Sequence, residues 1–395
     1  MAMSSTKPFE RAVAYAPATL AYLRATDERR VVEASHTDSL DAWILKLAKH
    51  VAAKDAKALP ALATALKAAA PLEQQGTAAQ RGHLAAARAW LAREPLQAAR
   101  IYTHIAESAP HDLLAVRLAQ SGWYFLGQRA RVRLVAERAL HQWSQSDPGY
   151  DVLLAMTAFG RAENGDGRGA TALAQRALRI EARSPYAWHA LAHGLITEGR
   201  TVTAHRALAD SQSLWRIGGR MDAHIAWHQA VYALKIGRSS EAVALFDREL
   251  ASANDASTCA DATDLLWRLE LAGAATGLRW HALAAAWSRH FTPGFWGFLD
   301  VLAGIAFERA GRSADAKALR KAISETQATE STAATRQALA AIDAFTQGDH
   351  ARACGQLRAA LPLLGGSVPQ RELLELTLAA AEQGSGGECL VAAAA

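Results

Sequence analysis

An all-α chain of stacked helix-turn-helix hairpins is the fold class this sequence predicts, and three observations predict it. First, 51 % of the 395 residues are apolar, dominated by alanine and leucine. These residues lead the helix-propensity scale, and the β-branched runs that strands favour are scarce. Second, a glycine recurs between two alanine-rich stretches, at Gly127, Gly165, Gly199, Gly237, Gly311 and Gly348. Gly165 and Gly199 are 34 residues apart, the other near steps are 37 or 38, and the step from Gly237 to Gly311 is 74, twice 37. Third, Val132, Ala170, Ala204, Ala242, Ala316 or Ala353 stands five residues after each glycine, small in all but the first.

Each observation has a physical reading. Glycine after a first helix permits a left-handed cap. A small residue on the second helix lets it approach the first closely. One hairpin cannot bury its apolar stripe alone, so neighbours stack and share a continuous core. The expected product is an α-solenoid: a curved array with a concave groove or pocket.

Taken in order, residues 1–75 read as an N-terminal helical cap. "SLDAWILKLAKHVAAKDAKALPALATALKAA" holds two or three amphipathic helices. The first twenty residues lack the apolar h-region of a secretory signal. Residues 76–380 read as the repeat array. An upstream unit centres on Ala98, again 34 residues before Val132, with Pro110 at its closing position. The double step leaves room for one more unit around "DATDLLWRLELAGAATGLRWHALAAAW". Residues 381–395 are broken by glycine and serine and read as a flexible tail.

Composition narrows the function classes. The net charge is +5, but the arginines are interspersed with Glu and Asp and form no basic block, so no nucleic-acid partner is expected. No stretch is long and apolar enough for a membrane span, so no membrane partner is expected either. The three cysteines, Cys259, Cys354 and Cys389, are far apart and in no CxxC pattern. That argues against a disulfide framework or a zinc knuckle and suits a cytoplasmic location. GxGxxG, P-loop, GxSxG and HExxH signatures are all absent, so no nucleotide cofactor is expected. A homodimer is compatible with such an array.

The period, the glycine, the small alanine and "YAWHALA" resemble the tetratricopeptide repeat, degenerate in several units. Across Asp112 to Gly311 the resemblance sharpens. The order "YFLG", "GYDVLLAMTAFG", "HALAHG", "HIAWHQAVYAL", "DATDLLWRLELAG" is similar to the tetratricopeptide repeat protein 38 family. The resemblance implies a helical array and no particular reaction. It also implies a shared polar pattern at His189, His193, His224, Trp227, His228, Asp261 and Arg268. The chain departs from that pattern at three places. Gln120 and Ser121 stand where relatives show a His-Asp pair. Ile196 replaces a Glu. Leu302 replaces a His, although Phe298 and Asp300 are kept.

The histidines form the candidate site. His189 with His193, and His224 with His228, are each four apart and so share a helix face. Both pairs fall on first helices of adjacent units, and packed helices lie about 8–10 Å apart. The two pairs can therefore converge across one groove. Three readings stay open. The imidazoles can be groove histidines satisfied by backbone and water. They can bind a divalent metal ion, with Asp261 completing the set. Or they can do metal-free acid–base or binding chemistry on a small anionic or aromatic substrate. The candidate catalytic residues are His189, His193, His224, His228 and Asp261, and the four histidines are the candidate metal ligands. Trp188, Trp227, Trp267, Arg268, Asp300, Gln120 and Ser121 are the candidate substrate-binding residues. The tryptophans have a plainer reading as repeat core. Cys259, two residues before Asp261, is either packing or a Cys–His nucleophile.

The leading expectation is a His-rich pocket acting on a small organic metabolite by acid–base or metal-assisted chemistry. The alternative is a non-catalytic scaffold that holds a peptide or protein partner in its groove. Peptide-tail clamps are usually lined by Lys, Arg and Asn, whereas the central rows here carry His and Trp.

Overall fold

The computed structural model describes residues 17–24, 39–326 and 329–385, and among these every regular element is a helix. The inner, first helices of six successive hairpins are α1 (Leu113–Phe125), α2 (Tyr150–Ala162), α3 (Pro185–Thr197), α4 (Met221–Lys235), α5 (Ala256–Leu271) and α6 (Gly297–Arg309). Their outer partners are Arg129–Leu140, Gly167–Ile180, Thr201–Asp210, Ser239–Leu245 with a π turn to Leu250, Arg279–His290 and Ser313–Glu325. One hairpin precedes these (Ala78–Leu91 with Pro95–Ser108), and Glu330–Thr346 with His350–Ala360 follows. The chain then turns into α7 (Val368–Gly384). The array is the expected α-solenoid, and α5 with Arg279–His290 is the extra unit for which the double glycine step left room.

The turn glycines set the period. At Gly165 φ is +84°, its N–H donates to Ala162 O at 3.0 Å, and the N–H of Asp166 donates to Arg161 O at 3.0 Å. That pair of bonds is a Schellman cap, which needs a left-handed residue that glycine adopts without strain. Gly273, unassigned by the spacing, closes α5 in the same way with φ +79°. Starts are capped as well: the side chains of Asp112, Ser184 and Asp255 accept from Ala115, Ala187 and Thr258 N–H.

A second glycine row explains how closely the layers approach. A Cβ added to Gly160 of α2 would lie 2.7 Å from Arg133 Cα, on the outer helix of the preceding unit. One added to Gly194 of α3 would lie 2.8 Å from Thr171 N. Both obstacles are backbone, so the helices must separate to admit a methyl group. Gly160→Ala is expected to cost about 1–3 kcal/mol, read as a lower urea midpoint with unchanged slope. A change within a few tenths of a kcal/mol would show that the contact yields freely.

The concave side is roofed. Trp90, Phe125, Phe295 and Trp296 form an aromatic cluster, with Phe125 stacked on Trp296 at 5.4 Å and Trp90 edge-on to Phe125 at 5.1 Å. It ties the segment entering α6 to α1 and to the Ala78–Leu91 helix. The start of α7 reaches the same place: Tyr124 Oη donates to Gln370 Oε1, and Val368 N–H donates to Glu163 Oε2 at 3.0 Å. The expected groove is therefore a pocket closed by segments remote in sequence.

In the expected cap, helices run Leu40–Ala52 and Leu59–Ala69, while residues 1–16 and 25–38 lie outside the described residues. At the other end the chain stays helical to Gly384, and residues 386–395 of the expected tail lie outside them. Cys354 is buried in the last hairpin and disulfide-bonded. Cys259 is free and buried, and burial pushes its thiol up to about 12, so it is packing rather than a nucleophile. Among the described residues no helix is long and apolar enough to cross a membrane.

Candidate functional site

The four imidazoles converge. His189 and His193 project from one face of α3, and His224 and His228 from the facing side of α4. His193 Nε2 is 3.0 Å from His189 Nε2 and 3.2 Å from His228 Nε2, and His224 Nε2 is 3.2 Å from His189 Nε2. The pairs are not in equivalent repeat positions: they stand ten and six residues before Gly199, but thirteen and nine before Gly237. The stagger sets the rings edge to face across the helix pair, with centroids 4.4 to 5.0 Å apart.

Three of the four Nδ1 atoms have a visible partner. His224 Nδ1 is 2.9 Å from Asp261 Oδ2 on α5. His193 Nδ1 is 3.1 Å from Glu163 Oε1, just past the end of α2. Tyr232, one turn along α4, places its Oη 3.1 Å from His228 Nδ1. A carboxylate only accepts, so His224 donates from Nδ1 to Asp261 and turns Nε2 to the centre. Burial, followed by the neighbouring imidazoles, pushes His189 and His228 well below the ordinary histidine range, so both are neutral. The Nε2 atoms of His189, His193 and His228 all lie within 4.8 Å of one another and can hold a metal ion.

A cavity of about 180 Å³ opens onto this cluster. His189 and His224 line it, while His193 and His228 are buried behind them. Its walls come from the first helices, and register explains which residues face in. The position thirteen before the turn glycine supplies Val152, Tyr186, His224, Ala260 and Phe298 in successive units, all of them in the wall. The position ten before supplies Arg117, Ala155 and His189. Lys54 and Arg220 add charge, and the Arg117 guanidinium sits 4.1 Å from the centre of the Tyr186 ring. No carboxylate is among the described lining residues.

Of the candidate substrate residues, Gln120 and Ser121 line the cavity. The Gln120 amide is also tied to the backbone, donating to Val132 O at 3.0 Å and Met156 O at 2.9 Å. The other five lie elsewhere. Trp227 is fully buried, donates to Asp264 Oδ1 at 2.7 Å and stacks behind His224. Trp267 is buried against α7 and donates to Thr377 Oγ1 at 2.9 Å. Trp188 donates to Ala182 O at 2.9 Å, back along its own turn. Arg268 is buried in a salt-bridge knot with Asp264 and Glu372, and Asp300 accepts from Gly294 N–H at 2.8 Å. Their polar groups bind the frame, and none of the five lines the cavity. Sequence reading missed Glu163, Tyr232, Arg117 and Tyr186. Arg117 and Tyr186 were accessible to it through the repeat register, because they share positions with His189 and His224.

No protein-family model matches the chain. Solved structures similar to it include the APC/C hetero-tetramer Cut9–Hcn1, at 13 % identity, 91 % of this chain, 69 % of that chain and a TM-score of 0.42. The human IFIT1 dimer with m7Gppp-AAAA is similar at 12 % identity, 93 % and 92 % coverage and a TM-score of 0.44. The human IFIT1 dimer with PPP-AAAA is similar at 14 % identity, the same coverages and a TM-score of 0.44. The chain's own hairpin period, Schellman-capped turns and inward-facing first helices make it an all-α, tetratricopeptide-like solenoid.

Proposed function

We propose that this chain binds a small organic anion inside the closed chamber of its solenoid, with His189 and His224 meeting the ligand at the floor. One observation carries the reading: the Arg117 guanidinium lines the chamber over the Tyr186 ring, and no carboxylate among the described residues lines it. Such a wall concentrates negative charge in a partly desolvated space. Tyr186, Phe159, Trp296 and Phe298 give the ligand a flat or apolar flank. His224, oriented by Asp261, is the group placed to exchange a proton with it. The resemblance to the tetratricopeptide repeat protein 38 family belongs to this proposal and rests on the quoted strings alone.

Partner binding is the second reading, and the tetratricopeptide-like architecture supports it, since such arrays present a concave face to extended peptides. The roof over that face favours the small ligand.

Thermal-shift and calorimetric titration with aromatic carboxylates and their neutral amides tests the choice. The carboxylates are expected to bind and the amides not. Arg117→Ala is expected to weaken carboxylate binding by about 10- to 100-fold, the value of one charge-assisted hydrogen bond. Equal binding of amides, or peptide capture that survives Arg117→Ala while no carboxylate binds, sinks the anion reading.

A further inference from the structure

We propose that His189, His193 and His228 bind one divalent first-row transition-metal ion through their Nε2 atoms, leaving a coordination position open toward the chamber beside His224. The inference goes beyond anion binding and does not depend on it.

The spacing of the nitrogens carries the inference. Three Nε2–Nε2 contacts of 3.0 to 3.2 Å link the four rings. The ligand atoms of His189, His193 and His228 all lie within 4.8 Å of one another. His189 meets both His193 and His224 through Nε2, and a single N–H points along only one contact, so hydrogen bonds among the rings satisfy the cluster only in part. A cation between the three nitrogens satisfies them together.

Distance and outer contacts agree. Two nitrogens bound tetrahedrally at about 2.0–2.1 Å stand about 3.3 Å apart, close to the 3.0 Å between His189 and His193 and the 3.2 Å between His193 and His228. Imidazole donors select the zinc, cobalt, nickel and iron group over calcium or magnesium. Metal-bound histidines commonly hand their other N–H to a carboxylate or another acceptor. Glu163 Oε1 stands 3.1 Å from His193 Nδ1 and Tyr232 Oη 3.1 Å from His228 Nδ1, each placed for that role. Glu163 is itself fixed by Val368 N–H at the start of α7, so the support for a ligand comes from the segment that roofs the chamber. His224 falls outside the three-nitrogen group. It lines the chamber instead, next to where a fourth ligand or a water would enter.

Zinc(II) and cobalt(II) titration of the full chain, stripped with chelator and free of any organic ligand, tests the site. The expected result is one ion per chain, with the visible absorption bands of a low-coordinate cobalt(II) centre. His189→Gln, on the chamber wall, is expected to abolish the bands while far-UV circular dichroism stays that of the parent. Glu163→Gln is expected to weaken affinity by about 10- to 100-fold, and His224→Gln to keep the one-to-one stoichiometry. Failure of the parent to take up either ion overturns the proposal. So does uptake that His189→Gln and Glu163→Gln both leave unchanged. No organic ligand is present, so either outcome is independent of the carboxylate titrations.

Discussion

Arg268→Ala is expected to lower unfolding stability by about 3–5 kcal/mol in urea titration. The guanidinium is buried, and its three nitrogens are all engaged. Nε donates to Asp264 Oδ1 at 2.8 Å, Nη1 to Glu372 Oε2 at 3.0 Å and Nη2 to Pro369 O at 2.5 Å. The first contact lies within α5, and the other two reach α7. One side chain therefore fastens the segment that roofs the chamber to the wall beneath it. Removing it leaves Asp264 buried with Trp227 as its remaining donor, and an uncompensated buried charge is the costly outcome. Adding Asp264→Leu to Arg268→Met is expected to recover more than half of the loss, because removing both charges removes the desolvation penalty as well. An arginine facing a ligand behaves differently: its loss would impair binding and change stability by about 0.5 kcal/mol or less. That result would return Arg268 to the candidate binding residues.

Arg268 also marks where sequence reading stops. The solenoid was legible because its information is local. A glycine, a small residue five positions on and a period near 36 report contacts between neighbours in the chain. The histidine cluster was legible for the same reason, being two i, i+4 pairs on consecutive inner helices. The roof was not. Tyr124 meets Gln370 across 246 residues, and Arg268 meets Pro369 across 101. No periodicity encodes such a meeting. Polar residues buried by it are the same residue types as those that face a ligand, so Arg268 and Asp300 looked like site residues. Trp227 and Trp267 looked like a stacking wall, and their indole N–H groups are spent on Asp264 and Thr377. Glu163 had the opposite fate. It stands unmarked in "GRAENG", and its place beside His193 depends on α3 crossing the end of α2.

Asp300→Asn is expected to stabilise the protein at pH 8 and to change little at pH 4. Asp300 lies at the start of α6, almost fully buried, and burial pushes its carboxyl from 3.8 up to about 7. Because the folded-state value is raised, the folded protein holds this proton more tightly than the unfolded chain does. Its contribution is fully present below the unfolded value near 4 and is lost as pH rises through about 7. The gap between 3.8 and about 7 corresponds to about 4 kcal/mol at full ionisation, an upper bound because ionisation draws in water. Asparagine keeps the Oδ1 that accepts from Gly294 N–H and carries no charge at any pH. The stability difference between variant and parent is therefore expected to grow from near zero at pH 4 to a few kcal/mol at pH 8, with half the rise complete near pH 5.4, midway between 3.8 and about 7. Every other titrating group is common to both proteins and cancels in the difference. Parallel stability curves across that range would mean that Asp300 ionises freely in the folded chain. Water, or a cation such as Arg93, would then have to reach its carboxylate behind the aromatic cluster, and the roof would be looser than its packing implies.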